Sequence, residues 1–383
     1  MPDCSARETE RMRIVVGMSG GVDSSVAAAL LAEAGHDVVG VTMRVWPWRE
    51  SAEAASRFGS CCGSEAVEDA RRVAGVLGIP YYLLNMADEF DRAVIGPFTE
   101  NYRSGRTPVP CVACNTDLKF GSLLARAQAW DAAAVATGHY ARVARDPGRD
   151  RWVLRRARDR RKDQSDFLWP LTQAQLAAAC FPVGELTKDE VREHARRLGL
   201  ATADKPESQE ICFVPDGDYR EFLKTREPGV FRPGAIVDRE GRSLGRHGGV
   251  AGFTIGQRKG LGLAGSQPRY VIDLDAEADR VMVGEAADLE RDRLEVSRAH
   301  FIAGELPTNP LRVTAKIRHN HEPAPATVRV LGPGRAEVVF DAPQRAITPG
   351  QSCVWYRDDE VVGGGVIERA GARPRALTRD RIA

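Results

Sequence analysis

Apolar and polar positions along the chain follow three successive rhythms, and each predicts a different kind of structure. In the first half, short apolar runs at 14–16, 38–45, 81–84 and 133–136 are separated by stretches of helical spacing at 25–34, 65–77, 89–102 and 118–130. Runs that short and that continuously apolar suit strands buried on both faces, and their alternation with helices predicts a doubly wound parallel α/β sheet. Gly35 and Gly78 stand where helix C-caps belong. A second helical zone follows, where Thr187 and Glu190 have the spacing of a capping box ahead of 188–198, closed by Gly199. From Gly229 the glycines multiply and short runs at 235–237, 270–274 and 281–283 predict a small β domain. The segments 311–317, 327–330, 336–340, 352–356 and 361–367 complete a set of strands best read as a C-terminal antiparallel β-barrel.

These rhythms divide the 383 residues into a polar leader at 1–12, an α/β domain with a helical extension at 13–215, a small central β domain at 216–290, the barrel at 291–369 and a basic tail at 370–383. With 43% hydrophobic residues the chain can bury several cores. No apolar run approaches the ~20 residues that span a bilayer, and the N-terminus lacks the apolar stretch of a secretory signal. A cytoplasmic protein without a membrane partner is expected. Eight cysteines in so long a chain do not make a disulfide framework.

The formal net charge is only +1, so any nucleic acid must be met by a local patch. One is evident. Between residues 142 and 162, ten Arg or Lys stand against three Asp. That run reads either as a solvated hairpin face or as a track for a phosphate backbone.

The chemistry begins at Gly17-Met18-Ser19-Gly20-Gly21-Val22-Asp23-Ser24, where the first apolar run ends in a glycine-rich turn that opens into an alanine-rich helix. Glycines let the backbone approach an anion, and the unpaired amides of the helix start point at it. The serines add hydroxyl donors, and Asp23 is placed to cap the helix or to help hold Mg2+. The turn lacks the Gly-Lys-Ser/Thr ending of a Walker A loop and is not a Gly-x-Gly-x-x-Gly turn. It resembles the pyrophosphate loop of ATP pyrophosphatases, which cleave ATP to AMP and pyrophosphate while adenylating a carbonyl oxygen.

Two cysteine neighbourhoods stand apart. In one, Pro108 and Pro110 shape a loop presenting Cys111-Val112-Ala113-Cys114. In the other, Cys212 lies on the stretch joining the α/β part to the β part. A zinc site would want a second, similarly spaced cysteine pair, which the chain does not supply. A thioredoxin-type motif would sit at a helix start rather than in such a loop. Cys180 and Cys353, with Cys4, Cys61 and Cys62, read as inert.

With these residues the chain resembles the tRNA-specific 2-thiouridylases over most of its length. The matching points are the pyrophosphate loop, Val41-Thr42-Met43, residues 105–120, Thr137-Gly138-His139-Tyr140-Ala141-Arg142, Lys162-Asp163-Gln164-Ser165, Ile211-Cys212-Phe213 and Gly256-Gln257-Arg258-Lys259-Gly260-Leu261. Lys316-Ile317-Arg318, Thr348-Pro349-Gly350-Gln351 and Gly363-Gly364-Gly365 also fit. The resemblance implies 2-thiolation of the wobble uridine of lysine, glutamate and glutamine tRNAs, with ATP and Mg2+ as cofactors and tRNA and a sulfur-donor protein as partners. It places Gly17 to Ser24, Met43 and Gly138 at ATP, Cys114 as nucleophile and Cys212 as persulfide carrier. It also places Val109, Pro110 and Cys111 at the target base, and Lys162, Asp163, Gln164, Arg318 and His319 on tRNA. Two departures stand out: the family commonly has Asn at position 109, and some members have Asp at position 111.

The implied chemistry is coherent. The C2 oxygen of uracil is a poor leaving group until adenylation turns it into AMP, and a persulfide on Cys212 then supplies the sulfur. Cys114 closes the sequence by forming a disulfide with Cys212, which a reductant reopens. In the other mechanism, Cys111, Cys114 and Cys212 hold a [4Fe-4S] cluster with one open iron; the persulfide route is preferred, because carboxylate at position 111 suits a soft cluster poorly. The competing functions are another ATP pyrophosphatase ligase and a non-catalytic tRNA-binding metal protein.

Overall fold

The computed structural model describes residues 11–45, 64–206, 211–214, 217–264 and 267–371. Cys4, Cys61, Cys62, most of the expected leader and nearly all of the expected tail lie outside the described residues.

The N-terminal half carries strands β1 (Arg13–Gly17), β2 (Asp37–Arg44), β3 (Tyr81–Asn85) and β4 (Ala134–Thr137), the hairpin β5 (Ala141–Asp146) and β6 (Arg151–Arg156), and the short β7 (Ala179–Cys180). Five of these form one sheet in the order β3-β2-β1-β4-β7, with every pairing parallel. Ile14, Val15 and Val16 of the central strand are fully buried, as a strand covered on both faces requires. The run at 81–84, expected to be buried, is instead the edge strand, and Tyr82 is half exposed. Hydrophobicity does not distinguish an edge from a centre; only the pairing order does.

The helices are α1 (Val22–Glu33) and α2 (Ser64–Leu77), then α3, a continuous run of Ala87–Phe90, Asp91–Ile95 and Gly96–Arg103. They continue with α4, a run of Pro110–Ala113, Cys114–Leu123 and Leu124–Gln128, then α5 (Gln173–Ala177), α6 (Lys188–Arg197) and α7 (Tyr219–Arg226). The capping box at Thr187 and Glu190 is formed, with both side chains bonded to each other's backbone N–H. Where the sequence suggests a proline-shaped loop followed by a helix from 118, α4 begins at Pro110 and carries both Cys111 and Cys114. Proline is well suited to the first helical position, and it holds the preceding Val109 out of the helix.

Beyond α7, strands β8 (Gly234–Val237), β9 (Ser243–His247), β10 (Tyr270–Asp275) and β11 (Arg280–Gly284) make a four-stranded sheet ordered β10-β11-β8-β9. The last region contains β12 (Glu290–Phe301), β13 (Leu311–Lys316), β14 (Ala324–Gly332), β15 (Arg335–Arg345), β16 (Ser352–Arg357) and β17 (Glu360–Ala370). Pairing of β12 with both β15 and β17 closes them into an antiparallel barrel. The β5–β6 hairpin belongs to the N-terminal half in sequence but attaches to this barrel through Arg155 opposite Glu360.

That attachment changes the meaning of the basic run. Arg142 pairs with Glu185 and Asp359, Arg149 with Asp146 and Glu360, and Arg151 with Glu360. Arg145, Arg156, Arg158 and Arg161 pair with Asp150, Asp163, Glu190 and Asp159. Most of the local excess is therefore neutralised inside the molecule, strapping the hairpin to the barrel and to α6.

Candidate active site at the carboxyl end of the parallel sheet

The turn after β1 is shaped by close packing. Gly20 has φ +69°, and a Cβ there would lie 2.7 Å from the Cα of Ala66 at the start of α2, so only glycine fits. At Gly138, just beyond β4, a Cβ would come within 2.6 Å of the Asp23 carbonyl carbon. The end of β4 therefore rests directly against the first turn of α1. Ser24 Oγ accepts from Ser19 N at 3.1 Å and donates to Gly21 O at 3.1 Å, while Ser25 Oγ donates to Gly21 O at 2.8 Å.

Asp23 does not cap α1: the N-cap is Gly21, and no side chain bonds there. Asp23 lies one residue inside the helix, and its carboxylate is held by Lys188 Nζ at 2.7 and 2.9 Å and by the Tyr140 hydroxyl at 2.8 Å. Lys188, the first residue of α6, keeps only 9% of its side chain exposed. From sequence this residue is no more than the start of a helix. A lysine at the first position of a capped helix reads as surface, and only the tertiary fold turns it toward the phosphate loop.

A cavity of about 320 Å³ opens above the loop. Gly17, Met18, Ser19, Asp23 and Ser24 line it, with Met43 and Gly138 alongside, whereas Gly20, Gly21 and Val22 form the turn behind them. Cys114 and Cys212 line the same cavity, as do Pro110 and Cys111. Two thiols almost a hundred residues apart thus share one chamber with the glycine-rich loop. Cys114 and Cys212 are half-buried, Cys111 is exposed, and none of the three is in a disulfide.

The loop that leads into α4 is braced from the barrel. Thr107 N donates to Pro349 O at 2.9 Å, and Gln351 Nε2 donates to Thr107 O at 2.8 Å. Arg106 forms an ion pair with Glu368, and the Thr107 hydroxyl meets that of Thr254 from the central domain at 3.3 Å. The turn Thr348-Pro349-Gly350-Gln351 therefore acts at a distance, by fixing where the cysteine-bearing helix begins.

The expected tRNA contacts fall in different places. Arg318 and His319 line a neighbouring cavity of about 230 Å³ that shares Pro110, Cys111, Phe167 and Ile211 with the first. His319 stacks on Phe167 at 4.6 Å and donates from Nδ1 to Asp166 at 3.0 Å, and Lys316 pairs with the same carboxylate at 3.3 Å. Gln164 lines the main cavity instead, accepting from Tyr140 N at 3.0 Å. Asp163 is turned inward: its carboxylate binds Arg156, Ala157 N and Ser165, with 1% of the side chain exposed. As placed it orders the turn that carries Lys162. Lys162 itself is half-buried.

His139, buried on the cavity wall, lies 2.7 Å from the Thr137 hydroxyl. Burial, and after it the charge of Lys119, hold His139 well below the usual imidazole range, so it stays neutral. Cys353 is the inert thiol expected, buried and pushed up to about 12. Cys180 is equally buried but is disulfide-bonded, not the solitary core thiol expected.

Among the described residues no three His, Cys, Asp or Glu side chains converge closely enough to hold a metal. Cys111, Cys114 and Cys212 line one cavity but do not form such a group as placed. Mg2+ is a different case. It is commonly held by one carboxylate and substrate phosphates, and Asp23 at the loop fits that pattern.

Residues 12–216 match the family described as tRNA methyl transferase HUP domain, 220–285 the tRNA methyl transferase PRC-barrel domain and 291–367 the aminomethyltransferase beta-barrel domain. A relative from Carboxydothermus hydrogenoformans, named tRNA-specific 2-thiouridylase MnmA, is 51% identical over 94% of this chain and 98% of its own. One of the same name from Moorella thermoacetica is 53% identical over 92% and 99%. The chain belongs to the tRNA-specific 2-thiouridylase family. Among solved structures, a 4-thiouridine synthetase–RNA complex with bound ATP matches 57% of this chain and 50% of its own at 19% identity, with a TM-score of 0.32. Within the 2-thiouridylase family this chain carries Val109 and Cys111 in the segment between its cavities. No helix among the described residues is long and apolar enough to cross a membrane.

Proposed function

We propose that this chain is an ATP-dependent tRNA-uridine 2-sulfurtransferase acting on the wobble uridine, with adenylation and sulfur transfer performed in one chamber. The observation that carries this reading is the shared lining: the glycine-rich loop, Cys114 and Cys212 all face the same 320 Å³ cavity. A ligase of the same superfamily would have no use for two thiols beside the nucleotide. A non-catalytic metal protein would need converging ligands, which the described residues lack.

In this reading the loop holds the ATP phosphates and Met43 meets the adenine. Asp23 would hold Mg2+ by sharing the carboxylate that Lys188 and Tyr140 now bind, and the ion would supply neutralisation of phosphate charge. The target base leaves its stack, at a cost of a few kcal/mol, and enters past Val109, Pro110 and Cys111. Its O2 attacks the α-phosphorus, forming an O–P bond as the bond to pyrophosphate breaks. The terminal sulfur of a Cys212 persulfide, loaded by a donor protein, then attacks C2 and AMP departs with the oxygen. Cys114 attacks the Cys212 sulfur, the S–S bond to the new thiocarbonyl breaks, and a Cys114–Cys212 disulfide remains for a reductant to open. Two thiols are oxidised as the sulfane sulfur is reduced, so the electrons balance. Arg318, His319 and Lys162 contact the tRNA outside the chamber.

The test is reconstitution with ATP, unmodified lysine tRNA and a persulfide donor, followed by mass spectrometry of the nucleosides. Equimolar AMP and 2-thiouridine are expected. AMP released without 2-thiouridine, or independently of tRNA, would contradict the assignment.

A further inference from the structure

The chamber is built for an anion, yet its own charges are sparse. Among the described residues lining it, Asp23 is the one carboxylate, and its charge is already met by Lys188. His139 is neutral. Among the same residues Lys119 is the one cation. Its ammonium donates to Asn115 Oδ1 at 2.9 Å and meets no carboxylate of the described residues. A half-buried ammonium with a neutral amide as its partner retains its full charge for whatever fills the space.

Local geometry explains how it faces the thiols. Cys114–Leu123 is π-helical. In an α-helix, residues five apart diverge by roughly 140° around the axis. The wider π turn, with its i→i+5 bonds, cuts that to roughly 50°. Cys114 and Lys119 therefore share a face toward the cavity, with Asn115 steadying the lysine between them. The aromatic and aliphatic wall around them, including Phe90, Phe167 and Phe213, lowers the local dielectric and strengthens the lysine's field.

We propose that Lys119 is a catalytic residue that binds the α-phosphate of the nucleotide. It lies near the transferring phosphorus during adenylation and near the AMP phosphate when sulfur displaces it. This rests on the function proposed above and assigns one step of it. When uracil O2 attacks the α-phosphorus, negative charge accumulates on the non-bridging oxygens, and a cation already held in the chamber by Asn115 stabilises it with little reorganisation. When sulfur attacks C2, the same ammonium meets the charge that AMP carries away. No proton moves to or from the lysine in either step.

Adenosine and AMP differ only by the phosphate, so they probe the contact without tRNA or turnover. Titration calorimetry of the full chain should show AMP binding about 10- to 100-fold tighter than adenosine, the range of a charge-assisted hydrogen bond. In Lys119→Met the two ligands should bind about equally, with adenosine affinity unchanged, which also shows that the variant is folded. Lys119→Arg should restore most of the preference. Pyrophosphate release with tRNA should fall about 10²- to 10³-fold in Lys119→Met. If Lys119→Met keeps the AMP preference, the assignment is overturned while the proposed function stands. If the wild-type chain binds neither ligand, the nucleotide site and this assignment both fall.

Discussion

The wall of the chamber and the β5–β6 hairpin treat charge in opposite ways. The hairpin region is crowded with arginines, and most of them have a carboxylate partner in the barrel, in or just before α6, or in the hairpin and the turn that follows it. The chamber has few ionisable groups, and what it leaves uncompensated, an ammonium beside two thiols, faces the cavity. In sequence the first region looks like the nucleic-acid surface and the second like little more than a loop and a Cys-x-x-Cys. Compensation, not abundance, separates structural charge from functional charge.

The largest expected effects lie at the thiols. Cys114→Ser and Cys212→Ser should each lower 2-thiouridine formation by at least about 10³-fold, as loss of a nucleophile does, while tRNA-dependent pyrophosphate release continues. Nucleoside mass spectrometry beside a pyrophosphate assay separates the two steps; loss of both together would argue against adenylation preceding sulfur transfer. Cys111→Ser should retain substantial thiolation.

Asp23→Ala is the next largest. It should reduce adenylation about 10²-fold or more and leave the Lys188 ammonium buried without its carboxylate. The associated loss of stability is about 2–3 kcal/mol, at the lower edge of the range for a broken buried pair because Asp23 keeps 31% of its side chain exposed. Denaturant unfolding and pyrophosphate release should both register the change. A stable variant that has lost only adenylation would show that Lys188 does not depend on Asp23.

On the hairpin the expected pattern reverses. Glu360→Ala removes the partner of Arg149 and Arg151 and should cost about 1–2 kcal/mol of stability, with no change in the salt dependence of tRNA binding. Replacing Arg160 and Lys162 together with alanine should move the salt dependence instead: the slope of log affinity against log salt becomes shallower by about 0.7–0.9 for each tRNA phosphate that is no longer neutralised. A changed slope in the first variant, or an unchanged one in the second, would undo the division between strap and surface.

The smallest effect is at the brace. Burial raises Glu368, but hydrogen bonds from Arg106 and Ser297 and the charge of Arg106 outweigh it, so its folded value lies below the ordinary 4.5. Its contribution is therefore present above about pH 4.5 and is lost as pH falls through the depressed value. It is worth under about 1 kcal/mol because the group is 40% exposed. Comparing Glu368→Gln with the parent should show a stability difference at pH 7 that shrinks progressively as pH falls below about 4.5.

Much of the fold is legible in the sequence because hydrophobic period carries it: the parallel sheet, the glycine-rich middle domain and the closed barrel follow its three rhythms. Pairing order does not follow from period, so the exposed edge at Tyr82 and the docking of β5–β6 on the barrel are not legible. At the site, glycine and cysteine chemistry can be read locally, but the convergence of Cys114 and Cys212 depends on how α4 and the 211–214 segment pack. Pro110 is a readable helix start, although its neighbour Pro108 makes the pair look like the frame of a loop. Lys188 and Lys119 carry no motif at all; one gains its meaning from tertiary packing and the other from a π-helical register that the sequence does not announce.

If one chamber joins nucleotide chemistry to both thiols, the fate of those thiols records it. The chain, loaded with persulfide and given ATP and tRNA without reductant, should be digested and mapped after a single turnover. A Cys114–Cys212 disulfide is expected in one-to-one proportion with 2-thiouridine, and none when ATP is withheld. Stoichiometric 2-thiouridine with both cysteines still reduced would contradict it.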